Sequence, residues 1–241
     1  MKRLLDVTAA FFGLAILSPV LLLFMLLIFL QDYHSPFYIA PRLRRRGVAF
    51  SMIKLRSMVM NADKLGGAST SSSDRRITWV GRTIRRYKLD EFSQLWNVLK
   101  GEMSLVGPRP QVQRDVDLYT DEEYRLFEVR PGITDLASIV FADEGEILKG
   151  SDNPDLTYNQ VIRPWKSRLG LFYVDYHDIG LDIRLIFLTL VGIVSRRFAL
   201  SAVQKVLISY GADKTLVRIA GRTEPLVPHP PPGSSLIKTR S

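Results

Sequence analysis

Two adjacent carboxylates, Asp90 and Glu91, are the residues of this sequence best suited to chemistry, because cations lie on both sides of them. A carboxylate that neighbouring cations keep ionised can attack a phosphorus atom, or it can help a metal ion to bind a phosphate. The arrangement therefore favours chemistry on a phosphorylated substrate. The cations are Arg85, Arg86 and Lys88 before the pair, and Arg109 in a Gly-Pro-Arg-Pro turn after it.

An amphipathic helix must position this acidic pair. Apolar residues at 92, 95, 96 and 99 recur at i, i+3, i+4 and i+7, which predicts one buried helical face, and Gly101 is typical of a helix end. Asp90 and Glu91 then lie in the first helical turn. Acidic residues there also serve simply to bond free backbone N–H groups, and for an arbitrary pair that capping role is the more common one.

The string from Tyr87 to Pro110 closely resembles the signature of the bacterial sugar transferases, the monotopic polyprenyl-phosphate phosphoglycosyl transferases. Other motifs agree with this family in order and spacing, so the resemblance runs from about residue 2 to about residue 195. It favours the chemical role of the acidic pair over capping. The other motifs are Lys2-Arg3-Leu-Leu-Asp6, Ser18-Pro19, Phe50 to Met58, Thr78 to Arg86, and Arg130-Pro-Gly-Ile-Thr134.

The resemblance implies a reaction. A sugar 1-phosphate would pass from a UDP-sugar to polyprenyl (undecaprenyl) phosphate, with release of UMP and with Mg²⁺ as cofactor, as the first membrane step of polysaccharide or glycoconjugate assembly. Asp90 matches the family's nucleophile, which forms a phosphosugar-aspartyl intermediate. Glu91 would help to hold the metal or position the second phosphate, so both carboxylates are candidate catalytic and Mg²⁺-binding residues.

Five basic residues in the matching motifs are candidate phosphate contacts. A guanidinium group matches two phosphate oxygens with parallel hydrogen bonds, and a lysine supplies a point charge. Any single one of the five could instead be a solvated surface residue. They are Lys54, Arg56, Arg85, Arg109 and Arg130.

Residues 9–30 form an uncharged, almost continuously apolar run, which as a helix could cross a hydrocarbon core of about 30 Å. The run is too long for a signal peptide and lacks a small-residue cleavage site. Ser18-Pro19 predicts a kink, and basic residues flank both ends, but the residues alone do not decide between a hairpin and a span. The family resemblance implies a re-entrant helix-break-helix. Ser18 and Pro19 would set its angle, and Lys2, Arg3 and Asp6 would lie at the phospholipid headgroups.

The composition of the 241-residue chain narrows its partners. A net charge of +9 indicates an anionic partner, which could be a phosphorylated substrate, anionic lipid or nucleic acid. The absence of cysteine excludes disulfides, thiolate metal sites and a cysteine nucleophile, and three scattered histidines argue against a His-rich zinc site. No nucleic-acid recognition motif accompanies the charge, so we expect no nucleic-acid partner.

The order of the patterns predicts a helix-rich mixed α/β fold in three parts. They are a re-entrant membrane hairpin over 1–33, a cytosolic sugar-phosphate transferase domain over 34–200, and an extension over 201–241 with a proline-rich, disordered tail. Residues 63–75 read as a Gly- and Ser-rich loop. The apolar face of Leu181 to Val194 fits core packing and an interfacial amphipathic helix equally well. The lack of further transmembrane segments predicts the minimal, monotopic form, with its catalytic domain on the cytoplasmic face of a bacterial inner membrane.

Two stretches depart from the family pattern. Ser93 replaces a proline, and residues 134–138 followed by Asp143-Glu-Gly-Glu146 replace the usual continuation, which we expect to bear on the choice of sugar. The sugar stays unassigned, and a homodimer is compatible with the chain. The alternative function is a non-enzymatic, basic, membrane-anchored module that binds anionic lipid or a partner, but it leaves the acidic pair without a purpose.

Overall fold

The computed structural model describes residues 1–65, 70 and 74–238. Most of the predicted loop at 66–73, and the end of the tail at 239–241, lie outside these residues. The helices are α1 (Lys2–Asp32), α2 (Trp79–Arg86), α3 (Leu89–Phe92), α4 (Leu95–Lys100), α5 (Gln113–Val116), α6 (Leu136–Val140), α7 (Glu144–Ile147), α8 (Pro154–Thr157), α9 (Arg163–Tyr176), α10 (Ile179–Val194), α11 (Arg196–Ser209) and α12 (Lys214–Ala220). The strands are β1 (Phe37–Arg44), β2 (Val48–Leu55), β3 (Ser104–Val106) and β4 (Gly132–Thr134).

The strands form two small sheets. β1 and β2 pair antiparallel from Phe37↔Leu55 to Arg44↔Val48, and a 3₁₀ turn over Arg45–Gly47 joins them. β3 and β4 pair parallel, with Ser104 opposite Gly132. Helices predominate around these sheets, which confirms the predicted helix-rich mixed α/β fold.

The main core lies among α6, α9, α10, α11 and α12. α10 has two different faces: Leu181, Leu185 and Leu188 are buried in the core, whereas Phe187 and Leu190 are exposed. The helix therefore has features of both roles that its sequence left open. One apolar face packs into the core, and the other is exposed, as in an interfacial amphipathic helix. The domain boundary predicted at residue 200 falls inside α11, which contributes buried residues on both sides of it.

α1 is a single helix that continues through Ser18-Pro19. A proline at position 19 cannot donate to the carbonyl of Ala15, four residues earlier, which a normal helix would leave unbonded. The Ser18 hydroxyl donates to that same carbonyl oxygen at 2.8 Å. The side chain thus replaces the missing backbone donor, and the helix-break-helix expected from the family resemblance stays a prediction.

The full length of α1 lies against the domain along one stripe. Ala10, Leu21 and Ile28 on this stripe are buried, while Phe12 and Leu23 are among the apolar residues exposed on the other faces. Within the described residues, α1 is the helix long and apolar enough to cross a membrane, judged by length and composition. Its outer face is therefore a large apolar surface that the protein itself does not cover.

The polar residues at the start of α1 are used inside the protein. The Lys2 ammonium lies 2.6 Å from the Asp182 carboxylate, and the Arg3 guanidinium donates to the last carbonyls of α4. Asp6 is buried and accepts hydrogen bonds from the hydroxyl of Ser104 and the backbone N–H of Leu105. The headgroup contacts predicted for these three side chains are thus corrected, because internal partners occupy their charged groups.

The described part of the tail that composition predicts to be disordered makes defined contacts. The ring of His229 stacks on Trp165 with 4.3 Å between centroids, and the Thr120 hydroxyl donates to the Pro232 carbonyl at 2.6 Å. Prolines restrict the unfolded chain, so a proline-rich segment loses less conformational entropy when it lies along a surface. The tail covers α9 beside a π-helical turn over Tyr158–Ile162.

Candidate active site

A cleft of about 1220 Å³ opens between the β1–β2 hairpin, the α2–α3 region and the helices α6 to α9. The acidic pair lies in its wall, together with basic residues from several distant parts of the chain. Four of the five predicted phosphate contacts line the cleft in company with Asp90 and Glu91. These four are Lys54, Arg56, Arg85 and Arg109.

A tight backbone turn positions Asp90. Lys88 has the left-handed φ of 53°, and α3 begins directly after it. The Ser93 hydroxyl donates to the Asp90 carbonyl at 2.9 Å and contacts the Ile53 carbonyl at 3.2 Å. The serine that replaces the family's proline therefore ties α3 to β2, the strand that carries Lys54.

Asn97 provides the second tie between the helices and β2. Its side chain accepts from the backbone N–H of Ile53 at 3.0 Å and donates to the Ser51 carbonyl at 2.8 Å. It is fully buried, so these bonds form where water cannot compete. The predicted helix is in fact divided into α3 and α4, and Trp96, expected on the buried face, is 53% exposed while Asn97 turns inward.

Asp90 faces Lys54 across the cleft wall. The Lys54 ammonium lies 3.6 Å from the Asp90 carboxylate, and both side chains are largely buried. That distance exceeds a hydrogen bond, so the carboxylate oxygen keeps its lone pairs for another partner. Burial lowers the pKa of Lys54, and the nearby guanidinium of Arg109 lowers it further, while the two carboxylates oppose the change.

Glu91 pairs with Arg109, whose guanidinium donates to its carboxylate at 3.0 Å. Burial by itself would raise the pKa of Glu91, but the charges of Arg109, Lys54 and Lys88 outweigh it and lower the pKa to about 2. The carboxylate of Glu91 in turn raises the pKa of Arg109 above its ordinary value. Glu91 and Arg109 thus form a charged pair beside Asp90 and Lys54.

The turn that carries Arg109 depends on close backbone packing. A β-carbon added at Gly107 would lie 2.3 Å from the carbonyl oxygen of Arg130, which no side chain could tolerate. Pro108 and Pro110 restrict the backbone on either side of Arg109. Glycine therefore lets β3 and β4 approach, and the prolines stiffen the segment that presents the guanidinium.

Replacing Glu91 with glutamine is expected to change how stability depends on pH. Because the folded-state pKa of Glu91 is depressed, its ionised form stabilises the fold above about pH 4.5, and this contribution is lost as the pH falls towards 2. Lowering the pH from 6 to 3 should therefore reduce the free energy of unfolding of the wild-type protein more than that of Glu91→Gln. Denaturant unfolding of both proteins in detergent measures it, and a difference that does not change with pH would contradict the assignment.

The opposite wall contains charged residues that the sequence patterns did not identify as site residues. Glu144, in α7, forms an ion pair with Lys166 of α9, and Lys166 lies 5.4 Å from the centre of the Tyr158 ring. Burial would raise the pKa of Glu144, but the Lys166 ammonium outweighs it and lowers the pKa. Glu144 belongs to the stretch that departs from the family pattern, whereas nothing in the sequence singled out Lys166 or Tyr158.

Two of the predicted phosphate contacts differ from the other three. Arg56 lines the cleft, but its buried guanidinium forms two 2.6 Å hydrogen bonds with Asp32 and a third with the Ser35 carbonyl, so it clamps the end of α1 to the end of β2. Arg130 lies outside the cleft, in the wall of a separate pocket near Lys2. The position predicted for Arg130 at the acidic pair is therefore corrected, because the chain path directs it elsewhere, whereas the phosphate role of Arg56 stays a prediction.

The carboxylates of the cleft indicate where a metal ion could bind. Within the described residues, no group of three or more His, Asp or Glu side chains is arranged to hold one. Asp90 and Glu91 nevertheless fit the way Mg²⁺ is usually bound, by one or two carboxylates with the remaining oxygens from substrate phosphates and water. Asp90 has the freer oxygen of the two, because its cation lies beyond hydrogen-bond distance.

Comparison with known proteins identifies the family of this chain. The sequence model of the bacterial sugar transferase family matches residues 1–196, which is most of the chain. The chain belongs to the bacterial sugar transferase family. It is therefore an enzyme that transfers a group, and the non-enzymatic module is set aside.

Individual members of the family are similar over much of the chain. The uncharacterized sugar transferase EpsL of Bacillus subtilis (strain 168) is 34% identical over 89% of this chain and 91% of its own length. The undecaprenyl-phosphate glucose phosphotransferase of Komagataeibacter xylinus is 39% identical over 78% of this chain, which corresponds to 35% of that protein. A UDP-N-acetylgalactosamine-undecaprenyl-phosphate N-acetylgalactosaminephosphotransferase of Aeromonas hydrophila is 32% identical over 78% of this chain and 42% of its own length.

Proposed function

We propose that this transferase moves a sugar 1-phosphate from a UDP-sugar to polyprenyl phosphate and releases UMP. The observation that carries the proposal is the alternation of Asp90 and Glu91 with Lys54 and Arg109 in one cleft. A carboxylate with a free oxygen lies beside fixed cations that can hold a substrate diphosphate. The names of the Komagataeibacter and Aeromonas relatives, both undecaprenyl-phosphate sugar phosphotransferases, support the same class of reaction.

The proposed reaction has two displacements at one phosphorus atom. A carboxylate oxygen of Asp90 attacks the sugar-linked phosphorus, the bond from that phosphorus to the bridging oxygen breaks, and UMP leaves with the oxygen. A phosphate oxygen of the polyprenyl phosphate then attacks the same phosphorus, and the bond to Asp90 breaks. The products are polyprenyl diphosphate sugar and a free Asp90 carboxylate, so no oxidant, reductant or added water is needed.

The other cleft residues have roles that follow from their charge. Arg109, held by Glu91, and Arg85 would bind phosphate oxygens, and Lys54 would place a positive charge beside the attacking carboxylate of Asp90. Mg²⁺, held by Asp90 and Glu91 together with substrate oxygens, would neutralise charge on the diphosphate. In this scheme Asp90 is the nucleophile, and Glu91 positions Arg109 and helps to hold Mg²⁺.

The lipid substrate requires a place at a membrane. The exposed apolar faces of α1 and α10 offer a surface that can enter one, and they favour a monotopic attachment with the cleft at the level of the headgroups. We propose the cytoplasmic side of a bacterial inner membrane, because the UDP-sugar is water-soluble and the domain is basic. The homodimer stays a prediction.

A panel of UDP-sugars, assayed for UMP release in nanodiscs with Mg²⁺ and polyprenyl phosphate, tests the proposal. UMP that appears with one donor only when the lipid phosphate is present would support it and would identify the sugar. Release of UDP instead would contradict it, because a glycosyl transferase breaks the other bond of the donor. No release with any donor, from protein shown to be folded, would also contradict it.

Replacing Glu144 with glutamine is expected to weaken donor use more than turnover. The substitution removes the partner of Lys166 in the wall opposite the acidic pair, so a ligand group that contacts this pair would be held less well. We expect an increase of roughly tenfold in KM for the UDP-sugar, about 1.4 kcal/mol, with little change in kcat. Steady-state kinetics measure the split, with Glu122→Gln as a control at an exposed residue outside the cleft. A loss in kcat alone would contradict a role in donor binding.

A further inference from the structure

A second pocket, of about 740 Å³, lies at the start of α1 and shares no lining residue with the Asp90 cleft. Three arginines line it: Arg45 and Arg46 at the tip of the β1–β2 hairpin, and Arg130 after the 3₁₀ turn Glu123–Glu128. The hairpin tip contacts that turn, which brings the three together although 84 residues separate the second from the third. The family assignment gives this pocket no role.

The three guanidinium groups have no partner within the described part of the protein. None of them forms a hydrogen bond, an ion pair or a stacking contact there, and all three residues are exposed. Their positions are nevertheless defined. Arg46 occupies the left-handed turn position with φ of 65°, and the residue after Arg130 is fixed by the hydrogen bond from Ser104 N–H to the Pro131 carbonyl at 2.9 Å.

The neighbouring charges do not cancel these cations. Lys2 also lines the pocket, but its ammonium bonds to Asp182, so that pair is neutral. Glu128 is the one carboxylate in the lining, and it lies 3.5 Å from Arg125, which also pairs with Asp175. The lining therefore has three guanidinium groups without a paired carboxylate and one carboxylate, and this excess of positive charge suits a phosphate group.

Apart from Lys2, Glu128 and His177, the rest of the lining is apolar or aromatic. Phe127, Val129 and Val174 form part of the wall below the arginines. A free inorganic phosphate would gain nothing from this surface, whereas a molecule with an anionic head and an apolar body would contact both. The pocket also lies beside Lys2, the first residue of α1, next to the exposed apolar face on which Leu4 is 73% exposed.

We propose that this pocket binds the phosphate-bearing headgroup of an anionic phospholipid. The three arginines bind the phosphate oxygens, and the apolar wall contacts the first carbons of the lipid. The headgroup contacts predicted for Lys2, Arg3 and Asp6 are thus made instead by Arg45, Arg46 and Arg130. The inference rests on the membrane attachment in the proposed function and does not depend on the chemistry of Asp90.

The test is the double variant Arg45→Gln/Arg46→Asn, because both side chains are exposed at a hairpin tip and asparagine tolerates the left-handed backbone. The matched control, Lys205→Gln/Lys214→Gln, removes two exposed charges outside the pocket. Full-length proteins in nonionic detergent are titrated with short-chain phosphatidylglycerol, phosphatidylcholine or glycerol 3-phosphate, and binding is followed by native mass spectrometry. Denaturant unfolding verifies that each variant is folded.

The expected result is that wild type and control bind phosphatidylglycerol at least about tenfold more tightly than phosphatidylcholine, and that the double variant loses this preference. Equal preference in the double variant would overturn the site. Glycerol 3-phosphate that binds as tightly as the lipid, and is lost in the double variant, would overturn the lipid source in favour of a soluble phosphate. Asp90→Asn is expected to keep the lipid preference, so failure of this proposal and failure of the transfer reaction are separable.

Discussion

Asp90→Asn is expected to lower UMP release by about a thousandfold or more, since loss of a residue that forms a covalent intermediate removes most of the catalysis. Asparagine keeps the size of the side chain but has no anionic oxygen to attack phosphorus. Membrane attachment should persist, because the apolar faces of α1 and α10 are unchanged. UMP release and membrane sedimentation, measured on the same preparations, check both expectations.

A second measurement isolates the covalent step. Wild-type protein incubated with its UDP-sugar but without polyprenyl phosphate should gain the mass of one phosphosugar, and Asp90→Asn should not. Asp117→Asn is the matched control, because Asp117 is exposed, lies outside the cleft and bonds only to Gln113 at 2.8 Å within the described residues. If Asp90→Asn kept more than a tenth of wild-type activity, Asp90 would not be the nucleophile.

Glu123→Gln is expected to destabilise the protein by roughly 3–5 kcal/mol, the usual effect of removing one partner of a buried ion pair. Glu123 is 0% exposed and accepts hydrogen bonds from the Arg163 guanidinium at 3.0 Å, the Ser167 hydroxyl at 2.6 Å and the Thr120 N–H at 3.0 Å. An amide offers one acceptor oxygen where the carboxylate has two, and it leaves the buried charge of Arg163 without compensation. Denaturant unfolding in detergent measures the loss.

The neighbouring residue provides the control for this substitution. Glu122 is exposed, so Glu122→Gln should change the free energy of unfolding by no more than about 0.5 kcal/mol. Arg163 also lines the active-site cleft, and two of its nitrogens have no hydrogen-bond partner in the described part of the protein. Loss of stability in Glu123→Gln should therefore come with reduced transferase activity, whereas a variant as stable as wild type would contradict the importance of the buried pair.

Local sequence was sufficient to predict which residues lie together around the acidic pair. Asp90 and Glu91 are adjacent in the chain, and the string that contains them continues to Arg109, so the family signature brought these residues together before any fold was known. Lys54 was predicted in the same way, and it lies 3.6 Å from Asp90. Such predictions succeed because the signature extends over short segments whose side chains act on one substrate.

The sequence could not distinguish the cations that are available to a ligand in the cleft from those that are bound internally or lie elsewhere. Arg56 lies in a family motif beside Lys54, yet Asp32, 24 residues earlier, binds it in an internal clamp. Arg130 is in another motif, yet the pairing of β4 with β3 leads it to a different pocket. The position and the partners of an arginine thus depend on contacts between distant segments, which the motif that contains it does not reveal.

The sequence by itself determined the family, the apolar length of α1 and the acidic pair with its nearest cations, because each depends on composition or on spacing within a few turns. Tertiary structure alone decided the rest. It set the internal use of Lys2 and Asp6, and the Glu144–Lys166 wall of the cleft. The physical reason is that a charged group's role depends on its partner, and folding brings such partners together from anywhere in the chain.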